Sequence, residues 1–195
     1  QVQPNEIVGI VGESGSGKSV SSLVIMGLLP QKISRIQQGK IIFEGKNLLE
    51  ISESELRKRR GKEIGMIFQE PMTSLNPSMI CGKQVMEVLM QHTSLSQNEI
   101  KQRTLQLFEQ VKLPQPEVIF DKYPHEISGG QKQRVMIAMA IACKPKLLIA
   151  DEPTTALDVT IQAQILELLK SIQKKTGCSI MLITHDLGVI AEMAD

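Results

Sequence analysis

One segment near the start of the chain has the residue types and spacing that bind phosphate. It runs Gly12-Glu13-Ser14-Gly15-Ser16-Gly17-Lys18-Ser19 and fits the pattern G-x-x-x-x-G-K-[S/T] between an apolar strand and a helical pattern. Glycines let backbone N–H groups curl around phosphate oxygens, and the N-terminus of the following helix adds positive potential. We expect Lys18 to supply a positive charge to the β- and γ-phosphates of a nucleotide and Ser19 to bind Mg²⁺.

Two carboxylates follow a second apolar strand further along the chain. The strand pattern covers residues 147–150 and is followed by Asp151 and Glu152. A carboxylate at the carboxyl end of a strand can hold Mg²⁺, usually through water, and the next one can polarise an attacking water. Alone, two acidic residues after a strand commonly begin a turn. Together with the lysine loop they predict a site for nucleotide hydrolysis.

A pentapeptide between these two segments adds a second candidate anion site. It is Ile127-Ser128-Gly129-Gly130-Gln131, and it opens a helical pattern, so its exposed backbone N–H groups can face a phosphate. This segment is similar to the L-S-G-G-Q signature of the ATP-binding cassette (ABC) ATPases, and Ile in place of Leu conserves side-chain volume. The chain therefore resembles that family.

Three further motifs resemble those of the same family. Gln69 follows a predicted strand, as the family's Q-loop glutamine does, and His185 after another strand resembles its switch histidine. Ala156-Leu157-Asp158 resembles its D-loop. With these motifs in order, the resemblance extends over nearly the whole chain.

The resemblance implies an α/β fold of the P-loop NTPase type. Residues 1–70 and 144–195 would form a RecA-like core with a mostly parallel sheet and flanking helices, and residues 71–143 an inserted helical subdomain. Strand, helix and strand patterns in that order support a parallel sheet. The strand patterns lie at 7–11, 40–43, 63–68, 146–150 and 179–184, and the helical ones at 18–26, 52–55 and 160–174. Apolar residues at helical spacing occupy the proposed insertion.

The resemblance also assigns roles to individual residues, with ATP and Mg²⁺ as the expected ligands. The expected catalytic residues are Glu152, which would orient or deprotonate water, together with His185, Gln69 and Lys18. Ser19, Gln69 and Asp151 would surround the metal. The nucleotide would be contacted by Gly12, Glu13, Ser14, Gly15, Ser16, Gly17, Lys18, Ser19, Ser128, Gly129, Gly130, Gln131 and Asp158.

In the family, two cassettes join head to tail and sandwich two ATP molecules. The resemblance therefore implies a second ABC ATPase subunit, identical or different, whose Ser128-Gly129-Gly130 equivalent closes over the nucleotide held by Lys18. It also implies two membrane permease subunits and, indirectly, an extracytoplasmic peptide-binding protein. The chain would lie at the cytoplasmic face of the cell membrane.

Three segments resemble the subgroup that serves di- and oligopeptide importers. They are residues 68–77, 123–126 and 154–160. The chain is thus expected to be the ATP-hydrolysing subunit that energises peptide uptake. Nickel and opine importers share parts of these segments and stay as alternatives. A cassette ATPase acting on DNA or ribosomes, or a regulatory module that binds nucleotide only as a structural ligand, is disfavoured, the latter because Glu152 and His185 are intact.

The composition further limits the kinds of partner and site that are expected. Lys and Arg number 22 against 21 Asp and Glu, so the chain of 195 residues has a formal charge of +1 and no nucleic-acid partner is expected. Three distant cysteines support neither a disulfide framework nor a zinc site.

The chain starts at Gln1, almost directly with a strand, and lacks the family's adenine-stacking aromatic residue and its strands beyond the switch histidine. We therefore expect a fragment truncated at both ends, with an incomplete antiparallel β subdomain.

Overall fold

The structure is a computed structural model that describes residues 1–13, 15–30, 32, 34–70, 74–155 and 157–195. Several residues named above lie outside the described residues. They are Ser14 of the lysine loop, Ala156 of the D-loop resemblance, and Pro71, Met72 and Thr73 at the start of the predicted helical insertion.

A four-stranded parallel sheet in the order β1-β6-β5-β4 forms the centre of the fold. The strands are β1 Ile7–Val11, β4 Ile64–Ile67, β5 Leu147–Asp151 and β6 Ser179–Thr184. Every residue of β4 and β6 is buried, as expected for parallel strands covered on both faces. In the register, Val11 lies opposite Thr184 and Asp151 opposite Ile183. The carboxyl ends of β1, β5 and β6 therefore meet at one edge of the sheet.

Eight α-helices lie within the described ranges, together with a 3₁₀ turn at Pro124–Glu126. The helices are α1 Lys18–Ile25, α2 Glu53–Arg59, α3 Cys81–His92, α4 Gln97–Gln110, α5 Pro116–Phe120, α6 Gly129–Ile141, α7 Val159–Thr176 and α8 Leu187–Met193. Ser52 begins α2 as its capping chemistry predicts, since its Oγ accepts the N–H of Glu55 at 3.2 Å. None of these helices has the length and apolar character needed to cross a bilayer.

Helices cover both faces of the sheet, because successive strand residues point to opposite sides. On one face, Ile149, Met181 and Ile183 pack with Met26 at the end of α1 and Leu56 of α2. On the other face, the strand residues join a larger apolar cluster with buried residues of α6, α7 and α8. The confirmed fold is thus an α/β sandwich of three layers.

The predicted helical insertion packs directly onto the core. Helices α3 to α6 contact one another, and α6 also contacts β4. Most residues of α6 are buried, as in a helix surrounded by protein. Leu107, Phe108 and Val135 of this block belong to the same apolar cluster as Leu169 of α7. The exact boundaries of the subdomain stay a prediction, and one continuous core joins it to the sheet.

A small antiparallel pair lies apart from the main sheet. Strands β2 Ile42–Phe43 and β3 Lys46–Asn47 pair across Glu44 and Gly45. Both turn residues have positive φ, at 50° and 74°, as a tight two-residue hairpin requires. Within the described residues this hairpin is the only antiparallel pairing, and it is shorter than the strand predicted at 40–43.

Replacing Leu169 by Ala tests the position of the core. Leu169 is 0% exposed, so its loss should reduce the free energy of unfolding by about 2–5 kcal/mol through lost burial and the cavity left behind. Leu187→Ala is the matched control, because Leu187 is 69% exposed and its loss should change stability by no more than about 0.5 kcal/mol. Denaturant unfolding of the two variants measures the difference. Equal costs would contradict the assigned core.

Candidate functional site

The candidate site lies at the carboxyl edge of the sheet. The lysine loop follows β1, Glu152 follows β5 and His185 follows β6. Because these strands are parallel and adjacent, the segments after them converge. Parallel pairing thus brings together residues that are up to 173 positions apart in the sequence.

The lysine loop owes its shape to two glycines. Gly15 and Gly17 have φ of +82° and +91°, a region that residues with a side chain rarely adopt. Gly17 is the N-cap of α1, and no side chain in the described part of the chain caps this helix. The N–H groups of the first helical turn have no intrahelical acceptor. They can therefore be donors to a phosphate.

Lys18 is buried and turned into its own loop. Its Nζ donates to the carbonyl oxygens of Gly12 at 2.7 Å and Glu13 at 2.8 Å. An ammonium group has three N–H donors, so these two bonds orient the charge and leave a third donor. The positive charge of Lys18 thus lies beside the N-terminus of α1, as the motif predicts.

A buried carboxylate connects α1 to β5. Ser19 Oγ donates to Asp151 Oδ1 at 3.0 Å. Ser22 Oγ lies 3.5 Å from Asp151 Oδ2 and donates to the carbonyl of Ser19 at 2.7 Å. Burial raises the pKa of Asp151 above its ordinary value, although the bond from Ser19 opposes this shift. Sequence reasoning missed Ser22, whose spacing of three from Ser19 places both on one face of α1.

The oxygens of Ser19 and Asp151 suit a magnesium ion. Hydroxyl and carboxylate oxygens are ligands that Mg²⁺ prefers, and this ion usually takes one or two protein ligands, with water and phosphate completing the octahedron. No group of three or more His, Cys, Asp and Glu in the described residues is arranged to hold a metal. The hydroxyl of Ser19 and the carboxylate of Asp151 are themselves the kinds of ligand that fit such an ion.

Glu152 is held by donors from three segments. Its Oε2 accepts from Gln69 Nε2 at 3.1 Å and from Thr155 Oγ1 at 2.9 Å, and His185 Nδ1 lies 3.2 Å from Oε1. Burial alone would raise the pKa of Glu152, but the hydrogen bonds from Thr155 and His185, together with the nearby charges of His185 and Lys18, outweigh it and lower the pKa. The group is therefore an ionised acceptor at neutral pH. Sequence reasoning missed Thr155.

The backbone at Glu152 is strained. Its φ of +45° lies in the left-handed region, which costs a residue with a side chain about 1–3 kcal/mol and often marks a functional site. The N–H of Glu152 donates to the carbonyl of Ile183 at 2.9 Å, which continues the pairing with β6 by one residue. The sheet thus holds the residue in this conformation.

The sequence alone did not predict the hydrogen bonds that Gln69 and the residues of the signature segment make. The amide of Gln69 donates to Glu152, and its predicted metal role stays a prediction. Ser128 begins α6 in a capping box: its Oγ accepts the N–H of Gln131 at 3.3 Å, and Gln131 Oε1 accepts the N–H of Ser128 at 2.9 Å. Asp158 caps α7 through the N–H of Ile161 at 2.9 Å.

The structure brings together one part of the predicted site. Lys18, Ser19, Asp151, Glu152, Gln69 and His185 lie at the same edge of the sheet. Within the described residues no hydrogen bond joins Ser128, Gln131 or Asp158 to Lys18, Ser19, Asp151 or Glu152. Contact between these capping residues and a nucleotide stays a prediction.

The parallel sheet, the glycine-lined loop before α1 and the carboxylates after β5 define a nucleotide-binding domain of the P-loop type. A sequence model described as ABC transporter (ABC_tran) matches residues 1–155. The chain belongs to the ABC transporter family.

Curated relatives and solved structures agree with this assignment. The chain is 60% identical over 190 residues to the oligopeptide transport ATP-binding protein OppD of Bacillus subtilis (strain 168), covering 97% of this chain and 53% of that protein. It is 57% identical over 193 residues to the dipeptide transport ATP-binding protein DppD of Escherichia coli (strain K12), covering 99% and 59%. The chain thus spans little more than half the length of these relatives.

A solved structure supports the fold at lower sequence identity. The ATP-binding cassette MJ0796, in a dimeric post-hydrolysis state bound to ADP and phosphate, is 31% identical to this chain. The TM-score is 0.84, and the likeness covers 97% of this chain and 78% of that chain. The predicted α/β fold of a cassette is therefore confirmed.

Replacing Asp151 by Asn tests its burial. A folded-state pKa above the ordinary value of 3.8 means that the ionised group destabilises the fold, and that this cost appears as pH rises through the raised pKa. Without nucleotide or Mg²⁺, Asp151→Asn should therefore raise the melting temperature at pH 7. Each 1 kcal/mol gained corresponds to roughly 2–4 °C for a chain of this size.

The advantage of this variant should shrink as the pH is lowered towards the ordinary Asp value, where both side chains are neutral. Asp158→Asn is the matched control, because Asp158 is exposed and Asn caps a helix about as well as Asp. Thermal unfolding between pH 5 and 8 measures both variants. A lower melting temperature for Asp151→Asn at pH 7 would contradict the assignment.

Proposed function

We propose that the chain is the ATP-binding and ATP-hydrolysing part of an ABC importer that energises uptake of di- or oligopeptides across the cytoplasmic membrane. One observation carries the chemistry: the lysine loop, the Ser19–Asp151 pair and the ionised Glu152 converge at one edge of the sheet. The similarity to OppD and DppD over nearly the whole chain supports the peptide substrate. The near-neutral net charge argues against a nucleic-acid partner.

Binding of the triphosphate would use charge and backbone donors of the first loop. Lys18 and the N–H groups at the start of α1 would contact the phosphate oxygens, with Lys18 supplying the positive charge. Ser19 and Asp151, with Gln69 as a further expected ligand, would hold Mg²⁺. When bound, this ion neutralises charge on the β- and γ-phosphate oxygens.

Hydrolysis requires a water oxygen to bond to the γ-phosphorus while the bond to the β–γ bridging oxygen breaks. Glu152 is ionised and can accept a hydrogen bond or the proton from that water. His185, with its ring side chain 64% exposed, is free to reach the γ-phosphate. A positioned base contributes about 10²–10⁴-fold to such a rate.

A second cassette would complete each site. The first N–H groups of α6, at Gly129 and Gly130, have no intrahelical acceptor and suit a phosphate held by another chain. The dimeric state of the solved cassette with ADP and phosphate supports this arrangement. Two membrane permease subunits and a peptide-binding protein outside the membrane would be the further partners, and the chain would lie at the cytoplasmic face of the membrane through the permeases.

The substitution Glu152→Gln tests the base assignment. Gln keeps the size of the side chain but cannot accept a proton, so ATP hydrolysis by the assembled full-length transporter should fall at least about 100-fold while ATP binding is retained. Glu167→Gln, at an exposed position of α7, is the control and should hydrolyse ATP at the wild-type rate. Steady-state turnover and nucleotide binding measure both. Normal turnover by Glu152→Gln would refute the assignment.

Uptake by cells that lack the full-length protein tests the substrate class. Uptake of labelled di- and tripeptides should be lost and should return with the wild-type gene but not with Lys18→Ala, which removes the cation of the phosphate loop. Nickel and opine uptake should be unaffected. Loss of nickel or opine uptake with peptide uptake unchanged would overturn the peptide assignment and favour those importers.

A further inference from the structure

Thr155 lies in the turn that carries Glu152 and contacts it twice. The N–H of Thr155 donates to the carbonyl oxygen of Glu152 at 3.2 Å, which closes a turn of four residues. Its Oγ1 donates to Glu152 Oε2 at 2.9 Å. The donor and the carboxylate it holds therefore belong to the same turn.

This turn is anchored from two other elements. The N–H of Glu152 donates to Ile183 of β6 at 2.9 Å. Gln133 of α6, which is 1% exposed, donates through Nε2 to the carbonyl of Pro153 at 2.6 Å. Because both bonds hold the backbone itself, the position of the Thr155 hydroxyl is set by the fold.

The other two donors to Glu152 have more freedom. Gln69 and His185 are exposed residues on separate segments, and their bonds to Glu152 are longer, at 3.1 and 3.2 Å. Gln has three rotatable side-chain bonds, whereas a β-branched Thr is stiff at its single one. In the proposed function both Gln69 and His185 turn to the metal and the γ-phosphate. Thr155 alone of the three then keeps its bond to Glu152.

We propose that Thr155 is a positioning residue, whose hydroxyl holds Glu152 Oε2 during hydrolysis and leaves Oε1 to accept from the attacking water. This inference rests on the proposed function and adds a residue to it. Thr155 does not touch the nucleotide in this scheme. It acts only through the rotamer of Glu152, which its hydroxyl holds.

The experiment compares Thr155→Val with Thr155→Ser in the assembled full-length transporter. Thr155→Val keeps the shape but loses the hydroxyl, and kcat for ATP should fall about 10- to 100-fold, a part of what a positioned base contributes. The KM for ATP should change less than about twofold, since binding uses other residues. Thr155→Ser, which keeps the donor, should restore the rate.

Thr154→Val is the matched control. Thr154 lies in the same turn, and its side chain makes no hydrogen bond with the described residues, so the variant should keep the wild-type rate. If Thr155→Val does not assemble, Thr155→Ala undergoes the same test, because it also lacks the hydroxyl.

The outcomes separate the inference from the proposed function. A wild-type rate for the hydroxyl-free variant, with Glu152→Gln inactive, would overturn the role of Thr155 and leave the ATPase assignment intact. A lower rate that Ser does not restore, or a KM for ATP that changes as much as kcat, would show a merely structural role and also overturn it. A wild-type assembly that does not hydrolyse ATP would overturn the proposed function itself.

Discussion

The hydrogen bond from Ser19 to the buried carboxylate of Asp151 is the interaction on which the site depends. It joins the first helix to the central strand across 132 positions of sequence. Through it, the loop that leads into Lys18 is placed beside β5, the strand that Glu152 follows. Burial of Asp151 raises its pKa, so the group is costly to ionise in the protein by itself. In the proposed function, a cation bound there would relieve that cost, and the Ser19–Asp151 pair would be both a structural link and part of a metal site.

A second constraint couples the helical block to the acidic turn. Gln133 of α6 donates to the backbone after Glu152, and the neighbouring Arg134 donates to the carbonyl of Val111 at 2.7 Å and to Gln164 Oε1 at 3.0 Å. Both acceptors of Arg134 are neutral oxygens, and burial lowers its pKa. Breaking the bond of Gln133 or a bond of Arg134 would leave a buried polar group without that partner, which costs more free energy than the bond contributes. The helix that begins with Ser128 and the turn that carries Glu152 are therefore held as one unit.

Local sequence patterns were sufficient to predict the secondary-structure elements and to locate the motif residues. Short apolar runs predicted β1 and β6, and the glycine-rich phosphate loop predicted between β1 and α1 has positive φ at Gly15 and Gly17, angles that only glycine adopts at low cost. The resemblance to the cassette ATPases then assigned the residues that the sheet edge brings together. Family membership and fold are confirmed, while the contacts of Ser128, Gly129, Gly130, Gln131 and Asp158 with a nucleotide stay predictions.

By itself, then, the sequence determined the residue types and local spacings on which the predicted phosphate, metal and base roles rest, since these are fixed before the chain folds. It did not reveal that Ser22 approaches Asp151, that Thr155 holds Glu152, or that Gln69 donates to that same carboxylate. Only the tertiary structure decided these contacts. They depend on which strands lie side by side and on the positive φ at Glu152, and both arise from packing between segments far apart in the chain.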